Sequence, residues 1–150
     1  MREHVEHNRE SYNDHVDDWV GAMETNAGRI YLEKPAMEAV LPEDLSGKSV
    51  LCVGVGSGDE LSCVKRRGAS DVVGIDVSED LLRVARCKHP GVTFRHVDMM
   101  RASEVFDVDR FDVVYSSLTF HYSRDGDVLL AEMKHVLVDG GLILVSTHHP

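Results

Sequence analysis

Two hydrophobic rhythms divide this chain. Behind the capping sequence Ser11-Tyr12-Asn13-Asp14, the apolar residues Val16, Trp19, Val20 and Met23 recur at helical spacing and predict an amphipathic helix. Asn26-Ala27-Gly28 interrupts it, and a second helix starts at Pro35, a residue favoured in the first turn, and stops before Pro42. From position 50 onward short apolar runs take over. Val50-Leu51-Cys52-Val53 predicts a buried strand, and the segments 72–76, 93–96, 111–116 and 142–147 predict four more. Helical patterns lie between them. Leu61 and Val64 with a stop at Gly68 predict a helix of about ten residues. Ser78 caps a helix that carries Leu81, Leu82 and Ala85 and closes at Pro90-Gly91. Residues 127–138, with Val128, Leu129, Met133, Val136 and Leu137, predict an amphipathic helix ended by Gly140-Gly141. Asp139-Gly140 is also a hairpin pair, but the helical period before it argues against a hairpin. The segment 99–110 has too few apolar positions for a helix.

Strands alternating with helices imply right-handed crossovers and one parallel sheet, with ligands at the carboxyl ends of the strands near the point where strand order reverses. The 150-residue length points to one domain. No apolar run approaches the roughly 18 residues that span a bilayer. The charged start Met1-Arg2-Glu3-His4 is no secretory signal, so a cytoplasmic protein is expected. Cys52, Cys63 and Cys87 show no C-x-x-C spacing and read as reduced thiols, with Cys52 buried in a strand; no metal site is expected. A formal charge of −10, from 26 acids against 16 bases, disfavours nucleic acid and anionic membranes as partners and favours a small-molecule substrate. Lys65-Arg66-Arg67 is the one basic cluster and reads as the solvated last turn of a helix.

Chemistry concentrates after the first strand. Gly54, Gly56 and Gly58 break the apolar run into a tight turn before a helix, where glycine lets backbone approach a ligand and free N–H groups face it. Asp76 ends the second strand, 18 residues past Gly58, placed to accept from a ribose diol. The dinucleotide fingerprint G-x-G-x-x-G/A would put its third small residue at position 59, which is Asp; no Tyr-x-x-x-Lys pair follows strand four either. Both features oppose a nicotinamide-dependent oxidoreductase.

With its glycines at 54, 56 and 58 and its approach Leu45-Ser46-Gly47-Lys48-Ser49-Val50-Leu51, the stretch resembles the first motif of the class I S-adenosylmethionine-dependent methyltransferases. Gly74-Ile75-Asp76-Val77-Ser78 resembles the second motif, His96-Val97-Asp98-Met99 the third, and Phe111-Asp112-Val113-Val114-Tyr115-Ser116-Ser117 the fourth. Residues 137–145 match the entry to the fifth strand. The resemblance covers roughly residues 26 to 150. It implies a Rossmann-like, doubly wound parallel sheet of order 3-2-1-4-5 in a three-layer αβα arrangement, with residues 1–44 as an N-terminal helical cap and 45–150 as the core. It also implies the cofactor S-adenosylmethionine and methyl transfer to an unidentified small molecule. The family usually continues through two more strands, so strand five would present an exposed edge able to pair with a second copy as a homodimer. At position 52 the family usually carries an acid, and this chain has Cys52.

By the same resemblance, the backbone of Gly54, Val55, Gly56 and Gly58 would face the methionine portion of the cofactor and Asp76 the ribose. Asp98 would accept from the adenine amino group, Val77 and Met99 would flank the ring, and Ser116 and Ser117 would lie beside the methyl donor. Tyr12, Trp19 and Tyr31 of the N-terminal region are candidates to cover it. Asp112, just inside strand four, reads as a pairing residue instead. On the acceptor side, His121 has an ordinary pKa near 6.5 and reads either as the candidate catalytic base, with Tyr122 to orient the acceptor, or as a hydrogen-bonded structural histidine. His148 and His149 follow strand five and face the same opening, but two adjacent histidines are no metal signature. The competing reading is a catalytically weak or inactive cofactor-binding module, which the missing acid at position 52 and the absent last strands would fit.

Overall fold

The computed structural model describes residues 16–148. Five strands, β1 (Ser49–Val53), β2 (Asp71–Asp76), β3 (Thr93–His96), β4 (Phe111–Ser116) and β5 (Leu137–Val145), form one sheet of order β3-β2-β1-β4-β5. Every ladder is parallel, with Cys52 of β1 opposite Gly74 of β2 on one side and Tyr115 of β4 on the other. This is the expected doubly wound α/β sheet. Alternation along β1 sorts its side chains: Val50 and Cys52 join one core with Met37, Leu41, Leu61, Val64 and Tyr115, while Leu51 and Val53 join another with Ile75, Phe111, Leu129 and Met133. A layer of helix therefore covers each face.

The helices follow from local signals. Helix α1 (Val16–Thr25) leads into a five-residue π-helical turn, Arg29–Glu33, which runs directly into α2 (Lys34–Val40) with Pro35 in its first turn. Helix α3 (Leu61–Arg66) is only six residues long, shorter than its sequence pattern predicts, because the glycine turn extends to Glu60 and residues 67 and 68 already turn away. Helix α4 (Glu79–Lys88) is capped by Ser78, whose Oγ accepts from the Leu81 amide at 3.2 Å. Helix α5 (Gly126–Val136) is capped by Asp125. It ends before the position expected, because Leu137 is already extended and pairs with Phe111. Between Leu137 and Leu142 the strand advances five residues while β4 advances two, and Asp139-Gly140, with Gly140 at φ +73°, absorbs the excess. Residues 99–104, predicted as irregular, form 3₁₀ turns that place Ala102 in the core.

One further correction concerns charge. Arg67 is not solvated: its guanidinium donates to the carbonyls of Glu38, Leu41 and Pro42 and so satisfies the last carbonyls of α2. Lys65 reaches the Pro90 carbonyl at 3.4 Å and Arg66 pairs with Glu38 at 3.2 Å. Asp112 pairs, as expected, with Lys48 at 3.0 Å and accepts from the Ser49 amide at 2.9 Å, joining the bottoms of β1 and β4. Those hydrogen bonds hold its pKa below the usual carboxylate range. Among the described residues no helix is long and apolar enough to cross a membrane.

Candidate functional site

Strand order reverses between β1 and β4, so the connections leaving their carboxyl ends diverge and open a cleft there. The loop after β1 supplies the floor. Its Gly54 sits at φ +64° under the side chain of Thr119, which any Cβ at position 54 would overlap; Thr119 Oγ1 also donates to the Gly54 carbonyl at 3.3 Å. Gly58, at φ +84°, lies against the rings and methyls of His89 and Leu61, and a Cβ there would fall 2.9 Å from both. Neither position admits another residue without a shift.

Asp76 fixes this loop from the neighbouring strand. Its Oδ2 accepts from the Gly56 amide at 2.8 Å and its Oδ1 from the Ser78 amide at 2.8 Å. Burial pushes the carboxyl pKa up, and the amides of Ser78, Gly56 and Val77 pull against that shift. Asp76 thus stands beside the glycine turn, as its spacing predicts, and one of its functions is to hold that turn in place. Asp98 similarly caps the 3₁₀ turn, accepting from the Met100 amide at 2.9 Å. Val77 and Met99 flank this end of the sheet half-buried, and the Val77 carbonyl meets His96 Nε2 at 2.8 Å.

The opposite wall comes from β4. Ser116 is fully buried with no partner for its Oγ, whereas Ser117 Oγ donates to Glu33 Oε1 at 2.7 Å. Glu33 accepts a second hydroxyl, Ser146 Oγ at 2.6 Å, so one carboxylate of the N-terminal segment ties together the carboxyl ends of β4 and β5. Between them Leu118 takes a left-handed φ of +50°, held by the Ser146 carbonyl and hydroxyl, both of which accept from its amide. His121 is half-buried, its ring 4.4 Å from that of His148 and 4.3 Å from that of Tyr122, and Thr147 Oγ1 lies 3.5 Å from its Nδ1. Burial, and then the neighbouring His148, pull the His121 pKa below its ordinary value, which leaves the ring neutral at pH 7.

Gly54, Val55, Ser117, Thr119, His121 and Tyr122 line one cleft together with Met23, Arg29, Asp59, Glu60 and His148. The structure brings part of the glycine loop and the β4 end together, while Gly56, Gly58, Asp76, Val77, Asp98, Met99 and Ser116 do not line that cleft. Of the expected covering residues, Tyr31 is 75% exposed and does not line the cleft, whereas Met23 and Arg29 of the same N-terminal region do. Tyr12 and His149 lie outside the described residues, as does the side chain of Trp19.

Sequence reasoning missed Arg29, Glu33 and Glu60. Arg29 is 8% exposed, with one arm 3.4 Å from Asp59 Oδ2 and Nε unpartnered. Glu60 is 9% exposed, and burial raises its pKa to about 8. The available signal was the pair Asp59-Glu60 directly behind the last glycine, in a chain whose first strand lacks its acid.

Comparison with known proteins identifies the architecture. The chain matches the methyltransferase domain family over residues 51–145. It is 34% identical over 126 residues to an uncharacterized protein of Haemophilus influenzae, covering 79% of this chain and 49% of that one. It is 31% identical over 110 residues to the ubiquinone biosynthesis O-methyltransferase of Sinorhizobium fredii, covering 71% and 43%. Among solved structures, an S-adenosylmethionine dependent methyltransferase of Mesorhizobium loti shares the fold with a TM-score of 0.69 and 36% identity, over 77% of this chain and 52% of that one. The chain spans about half the length of the relatives it matches. With motifs, strand order and glycine turn all in agreement, the chain belongs to the class I S-adenosylmethionine-dependent methyltransferase family.

Proposed function

We propose that this chain binds S-adenosylmethionine along the carboxyl ends of β2, β1 and β4, with its methyl end in the cleft between β1 and β4, and transfers its methyl group to a small-molecule acceptor. The observation that carries the reading is the Asp76–Gly56 hydrogen bond of 2.8 Å, which sets a carboxylate and a pinned glycine turn side by side at the strand-order reversal. The residues present fit that cofactor. Glycine is enforced at 54 and 58 by close neighbours, and buried polar atoms without partners, Arg29 Nε, Glu33 Oε2 and Ser116 Oγ, await a polar ligand. Asp76 would hold the ribose, Gly54, Val55, Gly56 and Gly58 the methionine portion, Asp98, Val77 and Met99 the adenine, and Ser116 and Ser117 the region of the methyl group.

S-Adenosylmethionine supplies a methyl group on a positively charged sulfur, so transfer is an in-line displacement. Aligning the nucleophile supplies roughly 7–11 kcal/mol, more than one general base provides. Positioning is therefore the main task of the walls. Leu118, Tyr122 and Met23 bound the acceptor side, and His121, kept neutral by its surroundings, is set to take the proton that an acceptor hydroxyl or amine loses. The acidic chain supports an uncharged or cationic small acceptor over a polyanion.

Titration calorimetry with S-adenosylmethionine and S-adenosylhomocysteine tests the cofactor, and transfer of labelled methyl to a panel of small hydroxyl and amine acceptors tests the reaction. Absence of binding by folded protein overturns the reading. Binding without transfer to any acceptor moves it to a cofactor-binding module.

A further inference from the structure

The cleft contains more carboxylates than cations, and they are unevenly paired. Asp59 has Arg29 at 3.4 Å, Lys34 at 3.8 Å and Lys88 at 4.0 Å. Among the described residues neither Glu33 nor Glu60 forms an ion pair. Glu33 is served by two serine hydroxyls through Oε1, while its buried Oε2 has no partner. Glu60 is more than nine-tenths buried. Glu60 and Arg29, the latter with an unpartnered Nε, line the cleft, and Glu33 outside its lining is near enough to Glu60 to raise its pKa; a carboxyl that a bound cation would ionise, beside a guanidinium, matches the two charges of an α-amino acid.

Position matters as much as charge. Glu60 lies near enough to Cys52 and Tyr115, opposite one another in the β1–β4 ladder, to push both their pKa values up in addition to burial. Glu60 heads α3, whose Leu61 and Val64 pack in one core with Cys52 and Tyr115, so it lies on the face of β1 where the family usually carries an acid and this chain has Cys52. We infer that Glu60, seconded by Glu33, takes over from the missing strand acid as the acceptor for the α-ammonium of the cofactor's amino-acid end, while Arg29 receives its α-carboxylate. The inference rests on the cofactor reading above and assigns the part of the ligand that this chain recognises by an unusual route.

The test compares two ligands by calorimetry: S-adenosylhomocysteine, which has the amino-acid end, and 5′-methylthioadenosine, which lacks it. Wild-type protein is expected to prefer the first. Glu60→Gln should lose about 10–100-fold in affinity for S-adenosylhomocysteine, the scale of one charge-assisted hydrogen bond, and keep its affinity for methylthioadenosine. Adding Cys52→Asp to Glu60→Gln should restore part of the loss, and Glu33→Gln should show a smaller loss of the same selectivity. A Glu60→Gln variant, folded by circular dichroism, that retains the wild-type preference overturns the assignment, as does one that loses both ligands equally. Failure of the wild type to bind either compound overturns the cofactor reading as well.

Discussion

Asp76 serves two backbone amides with its two oxygens, so its removal disturbs both the turn and whatever the turn binds. Asp76→Ala is expected to cost about 1–3 kcal/mol in cofactor affinity, read by equilibrium dialysis; an unchanged dissociation constant would falsify the assignment. Glu60 makes a different prediction. Its folded pKa of about 8 lies above its ordinary value of 4.5, so folding takes up a proton between those limits and stability falls as pH rises through that window. The whole effect is bounded at roughly 5 kcal/mol. Glu60→Gln removes the slope, and urea unfolding from about pH 5 to pH 8 should show the wild type losing stability relative to the variant. Parallel profiles would place the carboxyl in water. Asp76 was legible because its distance from the glycines is set by one strand-turn-helix unit. Glu60 was not, because an acid at the start of a helix ordinarily faces solvent, and only the fold puts it against Cys52 and Tyr115.

At the scale of elements, the cleft depends on two packed junctions. Thr119 rests on Gly54, so Gly54→Ala combines a steric overlap with a left-handed backbone and should destabilise by about 2–4 kcal/mol, measured by chemical denaturation. A loss under half that would mean Thr119 swings aside freely. Glu33 bridges the N-terminal segment to the ends of β4 and β5, and Glu33→Gln weakens both hydroxyl contacts. Amide exchange is then expected to quicken over residues 29–40 while the central strands keep their protection; equal exchange in both proteins would deny the bridge a mechanical role. The five strands were legible from their apolar runs. The start of β5 was not, since Leu137 continues the helical period of α5, and its pairing with Phe111 prevails over that local pattern.

For the molecule as a whole, alternation of strand and helix pointed to a parallel sheet, and the family resemblance supplied its order, before any contact was known. The N-terminal wall of the cleft could not, because Arg29 and Glu33 meet partners as far as 113 residues away in sequence, across no repeating period. Net charge acts at this same scale. At −10, the chain should leave transfer RNA unretarded in gel shift at physiological salt, and tight, salt-sensitive retention would redirect the search for the acceptor toward nucleic acid.

Arg67 fastens Glu38, Leu41 and Pro42 to the end of α3, so the N-terminal segment is bolted there and latched at Glu33 and Arg29. Widening of the cleft on that side is expected as a swing about residues 38–42. Ligand exchange should accordingly slow when the latch is strengthened and stay nearly constant when the bolt is, as with a door whose speed depends on its catch and not on its hinge pin.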